Sequence, residues 1–152
     1  MATCTNNKVL FIDHDGQRHH HLHDDESYLE SGRDYDGFNM TGDFSSIIFQ
    51  QAILVDSNMK LANFENADLS NSDLRECNFE GANLRNTDLS DADLRGANLI
   101  SADLTGAILD GANLTDVNLD VCKSLRGISI DNTKFTYTKE NAFALSKYNL
   151  GI

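Results

Sequence analysis

The feature that most constrains the fold is a five-residue repeat that runs without a break over residues 42–121. Each of its sixteen pentads has a large apolar residue at the centre, from Phe44 to Leu119. Nine pentads have Ala two residues before the centre, and thirteen have Asp or Asn immediately before it. A repeat of this length determines the architecture of the whole chain, so its period has to be explained first.

A period of five matches neither an amphipathic helix nor a long alternating strand. Within one pentad, the small residue and the apolar centre are two positions apart, so in an extended segment they point to the same side. The last pentad position is often Gly or Asn, which tolerate the positive φ that tight turns require. Each pentad is therefore predicted to form one short side and one corner of a coil whose turns stack about 4.8 Å apart. This argument alone leaves three or four sides per turn open.

The four pentads from Ala82 to Ser101 (ANLRN, TDLSD, ADLRG and ANLIS) resemble the A-[DN]-L-x-x signature of the pentapeptide-repeat family. The resemblance covers about half of the chain. It implies an all-β solenoid, specifically a right-handed quadrilateral β-helix, usually with a helix that plugs one end. It implies function only weakly, since most members of the family have no assigned activity.

The repeat divides the chain into three predicted segments, which are an N-terminal non-repeat cap segment (1–41), the β-helix (42–137) and a C-terminal helical cap (138–152). In the first segment, residues 8–13 predict a strand, Asp15-Gly16 a hairpin turn and residues 17–23 a returning strand. After Leu119 the next apolar centre is Leu125, one position late, which predicts one more irregular turn. Thr138 is a suitable N-cap for the helix that follows, and its apolar residues, Phe143, Leu145 and Tyr148, are expected to cover the open end of the coil.

The charge of the chain restricts its partners. The net charge is −12, and residues 42–121 contain fourteen acidic and four basic residues. Direct nucleic-acid binding is not expected, because phosphate recognition requires clustered Lys and Arg. The acidic charge also argues against binding to an anionic membrane surface. No run of about 18 apolar residues occurs, so no membrane span is expected. Three widely spaced cysteines and no signal-peptide pattern lead us to expect a cytoplasmic location. Because the family that the chain resembles is mostly bacterial, the resemblance implies the cytosol of a bacterium or of an infected bacterium.

Assigning successive pentads to four sides collects acidic residues on one of them. That side has no Lys or Arg in its pentads, and its acids are Asp68, Asp88, Asp91 and Asp110. The next side has Arg75 and Arg95 interleaved with its acids, so part of its negative charge is balanced. We take the first of these sides as the candidate protein-binding surface. Solubility and local hydrogen bonding by the carboxylates is the alternative explanation.

Three other groups of residues are weaker candidates. His19, His21 and His23 share one face of a strand at a spacing that can bind Zn²⁺ or Ni²⁺, although a solvated histidine-rich strand has the same pattern. Leu150 and Ile152 are candidate contacts of an end-to-end homodimer. Isoleucines at outward positions, among them Ile48 and Ile108, either lie under the terminal segments or mark a protein contact. No catalytic nucleophile with a paired base, no phosphate-binding loop and no cofactor motif is found, so we expect no enzyme and no cofactor.

These observations predict a non-catalytic binding protein. Some members of the family it resembles bind bacterial type II topoisomerases with an acidic rod that is similar to duplex DNA, and some protect gyrase from quinolones. The resemblance therefore implies a DNA mimic that binds a DNA-binding enzyme such as gyrase. The alternatives are a protein–protein scaffold without DNA mimicry and a metal-binding module built on the histidine cluster.

Overall fold

The chain winds into a four-sided coil. The computed structural model describes residues 3–5, 8–12, 18–20, 37 and 39–148. From Asp43 to Asp93, the residue before each apolar centre forms a parallel bridge with the residue twenty positions later, as in Asp68 with Asp88. Five residues per side and twenty per turn give four sides, so the structure decides between three and four sides in favour of four.

We number the sides in chain order and keep these names below. Side one comprises residues 42–46, 62–66, 82–86, 102–106 and 123–127, and side two comprises 47–51, 67–71, 87–91, 107–111 and 128–132. Side three comprises 52–56, 72–76, 92–96, 112–116 and 133–137, and side four comprises 57–61, 77–81, 97–101 and 117–121.

The interior of the coil is filled by the pentad centres, all of which are buried. The Phe44 and Phe64 rings stack with centroids 5.2 Å apart. Polar residues at the small inward position are also buried, and Ser72, Thr87 and Cys77 each donate to a backbone carbonyl. The Thr87 hydroxyl donates to the Phe64 carbonyl at 2.8 Å, and the Cys77 thiol lies 2.8 Å from the Leu54 carbonyl. Cys77 is thus a packing residue, as close packing around the large centres requires.

The corners have the left-handed backbone that the pattern predicted. The last pentad residue has a φ near +60° at most corners, including Asn66, Asn71 and Asn86. Glycine fills this position at Gly106, where a Cβ would collide with the Asn86 side chain one turn earlier. Side chains at the corners stack from turn to turn, so a bulky residue at one corner restricts the next.

The coil extends beyond the sixteen regular pentads at both ends. The ladder begins at Asn39, which bridges Asn58, and Met40 is fully buried in the core. The last turn is offset by one residue, as the slip after Leu119 predicted. Two short strands, β4 (Asn113–Leu114) and β5 (Lys134–Phe135), pair in parallel there with a separation of 21 residues.

The N-terminal segment contains a three-stranded antiparallel sheet in the order β1 (Thr3–Thr5), β2 (Lys8–Ile12) and β3 (Arg18–His20). Strands β2 and β3 lie within the two segments that the sequence predicts as strands, whereas β1 was not predicted. The register places Leu10 opposite both Thr3 and His20. The predicted turn at Asp15-Gly16 lies outside the described residues.

Helix α1 (Lys139–Ser146) closes the C-terminal end of side four through one buried amide. The Thr138 hydroxyl caps the helix by accepting from the Asn141 N–H at 3.1 Å. The Asn141 side chain accepts from the Leu119 N–H at 2.8 Å and donates to the Val117 carbonyl at 2.9 Å. It therefore satisfies the backbone groups that another turn of the coil would otherwise pair.

The apolar residues of the terminal helix differ in burial. Leu145 is fully buried against the coil, and Tyr148 packs partly against it. Phe143 does not cover the open end as expected, because it is 58% exposed and stacks under the Lys147 ammonium, 4.3 Å from the ring centroid. Within the residues that the structure describes, no helix has the length and apolarity needed to cross a bilayer.

Candidate functional site: an acidic side of the coil

The outward row of side two places two carboxylates on adjacent turns. Ile48, Asp68, Asp88, Ile108 and Ser129 follow one another along the coil through consecutive parallel bridges. Successive members of the row are about 4.8 Å apart, the spacing of paired strands. Asp68 and Asp88 are therefore direct neighbours, with an isoleucine on either side of the pair.

The structure places the other two predicted acids on the same side. Asp91 occupies the corner at the end of side two, with φ +56°, and its N–H donates to the Asp110 carbonyl at 2.9 Å. The Asp110 carboxylate accepts from the Ser129 hydroxyl at 2.6 Å and from the Asp131 N–H at 2.8 Å. All four predicted residues thus share one side of the coil.

Asp131 is a fifth acid on side two that the sequence analysis did not assign. The Gly111 N–H donates to the Asp131 carbonyl at 2.7 Å, which fixes Asp131 one turn beyond Gly111. The one-residue slip after Leu119 hides this neighbour from strict five-residue counting. Counting onward from the late centre Leu125, through Ile130, would have located it.

The carboxylates of side two are held by neutral donors. The Ser70 hydroxyl donates to Asp68 at 2.7 Å, and the Ser90 hydroxyl donates to Asp88 at 2.6 Å. Partial burial raises the pKa of Asp68, but hydrogen bonds from the Ser70 hydroxyl, the Ser70 N–H and Gln50 outweigh it and lower that pKa below its ordinary value. Asp68 is therefore ionised at neutral pH, with its charge oriented but not neutralised.

Ion pairing distinguishes side two from the other three sides. Arg75–Asp73 and Arg95–Asp93, each 2.6 Å, lie on side three. Side one has Lys123–Asp103 at 3.1 Å, and side four has Lys60–Glu80 at 2.8 Å. In the described part of the chain, no Lys, Arg or His lies within 4.0 Å of an acid of side two. Side two therefore presents uncompensated negative charge.

The outward isoleucines are exposed. Ile48 and Ile108 on side two are 36% and 38% exposed, and Ile53 and Ile100 on the next two sides are 39% and 48% exposed. The interpretation that places them under the terminal segments is not supported by these exposures. Side two thus combines a pair of carboxylates with an accessible aliphatic side chain at each end of the pair.

The other candidate residues fall largely outside the described part of the chain. His21 and His23 are not among the described residues, and His19 is described only as part of β3. Leu150 and Ile152 also lie outside. Among the residues described, no cluster of His, Cys, Asp or Glu has the arrangement of a metal site. Metal binding by the histidine cluster therefore remains a prediction.

Cys122 is a free cysteine near the end of the coil. It is only partly buried, but it is a poor nucleophile. Burial raises the pKa of Cys122 to about 12, and the charge of Asp120 adds to the effect. The thiol is therefore protonated at neutral pH, whereas the thiolate is the reactive form.

A family model named Pentapeptide repeats matches residues 43–81 and 77–116, with eight copies of the repeat. The coil belongs to the pentapeptide-repeat family. Members of this family are generally structural or binding proteins, and the match covers all four regular pentads of side two. No curated protein sequence gives a significant match to the chain.

Solved structures of pentapeptide-repeat proteins are similar to this chain. A protein from the thylakoid lumen of Arabidopsis thaliana is 24% identical, with 77% of each chain covered and a TM-score of 0.53. A Nostoc protein is 30% identical over 63% of this chain and 66% of its own, with a TM-score of 0.39. QnrB1, a plasmid-mediated fluoroquinolone resistance protein, is 15% identical over 80% and 81%, with a TM-score of 0.34. The Arabidopsis similarity supports the right-handed quadrilateral β-helix and says nothing about function.

Proposed function

We propose that this pentapeptide-repeat protein is a non-catalytic binding protein, and that side two acts as a surrogate for DNA toward a DNA-binding enzyme such as a type II topoisomerase. The observation that carries the proposal is the absence of ion pairs on side two, in contrast to the other sides of the described coil. Charge that is not neutralised within the protein is available to attract a basic partner.

The charge density of side two supports the proposal quantitatively. Five carboxylates lie over three turn spacings, from the turn of Asp68 to the turn of Asp131. At about 4.8 Å per turn this is about 14 Å, or roughly one charge per 3 Å. A single DNA strand has one phosphate charge per about 3.4 Å of helix axis. Side two therefore matches the linear charge of one strand over about four base pairs.

The length of the coil determines how many base pairs of DNA one copy of the protein, or a dimer, could replace. Five turns at about 4.8 Å give a rod of about 24 Å, equivalent to about seven base pairs. An end-to-end homodimer through the C-terminal residues Leu150 and Ile152 would double this length. Such pairing forms part of the proposal and would increase the surface that a topoisomerase could contact.

The proposal is tested by titrating the protein into a DNA-gyrase supercoiling assay. We expect inhibition by the wild-type protein and its loss when Asp68, Asp88, Asp91 and Asp110 are all changed to Asn. A matched control changes four acids elsewhere and shifts the net charge equally, namely Asp56→Asn, Glu76→Gln, Asp116→Asn and Glu140→Gln. This control should still inhibit. Equal loss of inhibition in both variants would show that overall charge, and not side two, is responsible, and no inhibition at micromolar wild-type protein would exclude gyrase.

A protein scaffold without DNA mimicry is a second candidate, and the exposed isoleucines of side two favour it. Ile48 and Ile108 are accessible at the two ends of the Asp68–Asp88 pair, and a phosphate backbone has no counterpart to them. The two functions differ in salt dependence, because added salt screens charge–charge attraction but leaves apolar contacts intact. Binding of a captured partner that persists from 0.1 M salt, where the screening length is about 10 Å, to 1 M salt, where it is about 3 Å, would favour the scaffold.

A further inference from the structure

A different surface, the corner between sides four and one, has apolar residues where the other corners do not. The last pentad residues along this corner are Leu61, Gly81, Ser101 and Val121, and we call this row the apolar corner. At the other three corners of the regular pentads, every corresponding residue is polar, charged or Gly. Exposed aliphatic groups at this corner are therefore an exception to the pattern of the whole coil.

Leu61 is the most unusual residue of the apolar corner. It adopts φ +60°, a conformation that is unfavourable for an aliphatic L-residue, and it is 72% exposed. Its side chain extends over the next turn, with Cδ2 2.7 Å from the position that a Cβ on Gly81 would occupy. Leu61 thus stabilises the fold neither through burial of its side chain nor through a favourable backbone conformation. Strained and exposed positions of this kind are frequent at binding sites.

A cavity of about 300 Å³ adjoins the apolar corner on side one. Its lining includes the small residues Gly81, Ala82 and Ser101 and the amide of Asn83. The volume is at the lower end of the range for ligand sites, so it suits one or two side chains of a peptide. Leu61 stands beside the cavity because its side chain lies over Gly81.

Two cations, Arg85 and Lys123, line the cavity together with one acid, Asp103, in a chain with a net charge of −12. Arg85 Nη1 lies 3.6 Å and Lys123 Nζ 3.1 Å from the same oxygen of Asp103, Oδ2. Asp103 is 7% exposed, whereas the Arg85 and Lys123 side chains are 44% and 67% exposed. Glu65 approaches Arg85 at 4.0 Å but does not line the cavity. Two accessible cations therefore face the cavity with one nearly buried acid between them.

We propose that the apolar corner and its cavity bind a short acidic–apolar peptide segment of a partner protein. A peptide carboxylate contacts Arg85 and Lys123, and a neighbouring aliphatic side chain occupies the cavity over Gly81 against Leu61. The charge of this ligand is opposite to that of the partner proposed for side two. The two surfaces lie on different parts of the coil, so this inference is independent of the DNA-mimic proposal.

The test selects peptides from a random dodecapeptide display library on the immobilised full chain, followed by affinity measurements on synthetic copies. We expect enriched sequences that combine Asp or Glu with Leu, Ile or Val, and an affinity that falls roughly tenfold or more with Arg85→Gln plus Lys123→Gln. The same peptides should shift the ¹H–¹⁵N resonances of Gly81 and Ser101. Basic enriched peptides, an affinity that the double substitution leaves unchanged, or no enrichment at all would overturn the proposal.

Leu61→Asn separates binding from folding. Asn adopts positive φ more readily than Leu, so this variant should resist denaturant at least as well as the wild type while its peptide affinity falls roughly tenfold. Gln51→Asn is the matched control, since Gln51 has φ +58° at the corner between sides two and three. The control should leave peptide affinity unchanged. Wild-type affinity in Leu61→Asn would refute the role of the apolar corner.

Discussion

Side two and side three carry an Asp in the same outward position on two consecutive turns, Asp68 and Asp88 on one and Asp73 and Asp93 on the other. The residue after the apolar centre differs. On side three this residue is Arg, and Arg95 forms an ion pair of 2.6 Å with Asp93 two positions earlier. On side two it is Ser, whose hydroxyl donates to the corresponding carboxylate at 2.6–2.7 Å.

The difference shows how this fold controls its surface charge. Both Ser and Arg satisfy the carboxylate with a hydrogen bond across the same two-residue spacing, so both support the same local backbone. Only Arg removes the charge. The residue after the apolar centre therefore determines whether the outward Asp of the same pentad is ion-paired, while the inward positions that build the coil stay the same.

The largest expected effect is a loss of stability on core substitution. It tests whether side two and side three are packed equally well in the interior of the coil. Leu89 on side two and Leu94 on side three are both buried, at 0% and 1% exposure. Changing either Leu to Ala should lower the free energy of unfolding by about 2–5 kcal/mol, because each leaves a cavity in a closely packed core. Urea denaturation of the two variants measures this loss. A loss on one side only would mean that the sides differ in packing as well as in charge.

An intermediate effect is expected when the Arg residues that follow the apolar centres of side three are introduced at the equivalent positions of side two. Ser70→Arg plus Ser90→Arg should pair Asp68 and Asp88 and reduce the affinity for a labelled oligolysine probe by about tenfold at low salt. The reverse change, Arg75→Ser plus Arg95→Ser, should raise the affinity by exposing Asp73 and Asp93. Fluorescence anisotropy gives both values.

Thermal unfolding serves as the control for this exchange. Ser90, Arg75 and Arg95 are at least partly exposed, so the single change Ser90→Arg and the reverse exchange should move the melting temperature little, whereas Ser70 is only 7% exposed and Ser70→Arg is expected to lower it. If the affinity of the Ser-to-Arg variant for oligolysine equalled that of the wild type, the carboxylates of side two would not be the charges that the probe detects. The comparison between the two sides would then lose its functional meaning.

The five-residue period predicted the coil because every pentad repeats the same parts, namely a small inward residue, a large apolar centre and a corner residue suited to positive φ. Together with the four sides per turn that the family resemblance implies, it also placed Asp68, Asp88, Asp91 and Asp110 on one side by counting alone. It did not place Asp131, because a single inserted residue shifts the register beyond it. It could not reveal the cavity beside Leu61 either, because that cavity depends on where the side chains of Arg85 and Lys123 lie across separate turns.

The smallest effect concerns the protonation of the carboxylates on the two sides. A side-chain hydrogen bond from Arg95 is the main cause that lowers the pKa of Asp93, whereas neutral donors, the Ser70 hydroxyl foremost, outweigh burial to lower that of Asp68. Ser70→Ala should therefore raise the pKa of Asp68 toward its ordinary value of about 3.9. A ¹³C-detected pH titration of the Asp68 carboxyl measures the change, and Thr115→Val on side three, which removes a comparable hydroxyl, should leave it unaltered.

The sign of the accompanying stability change follows from the direction of the pKa shift. Asp68 has a lower pKa in the folded than in the unfolded chain, so its ionised form stabilises the fold above about pH 4, and this contribution is lost as the pH falls through the lowered folded value. The wild type should thus exceed Ser70→Ala in stability at neutral pH, and the difference should shrink in acid. An unchanged Asp68 pKa in Ser70→Ala would show that the Ser70 hydroxyl does not hold this charge, and the contrast between Ser and Arg would then rest on net charge alone.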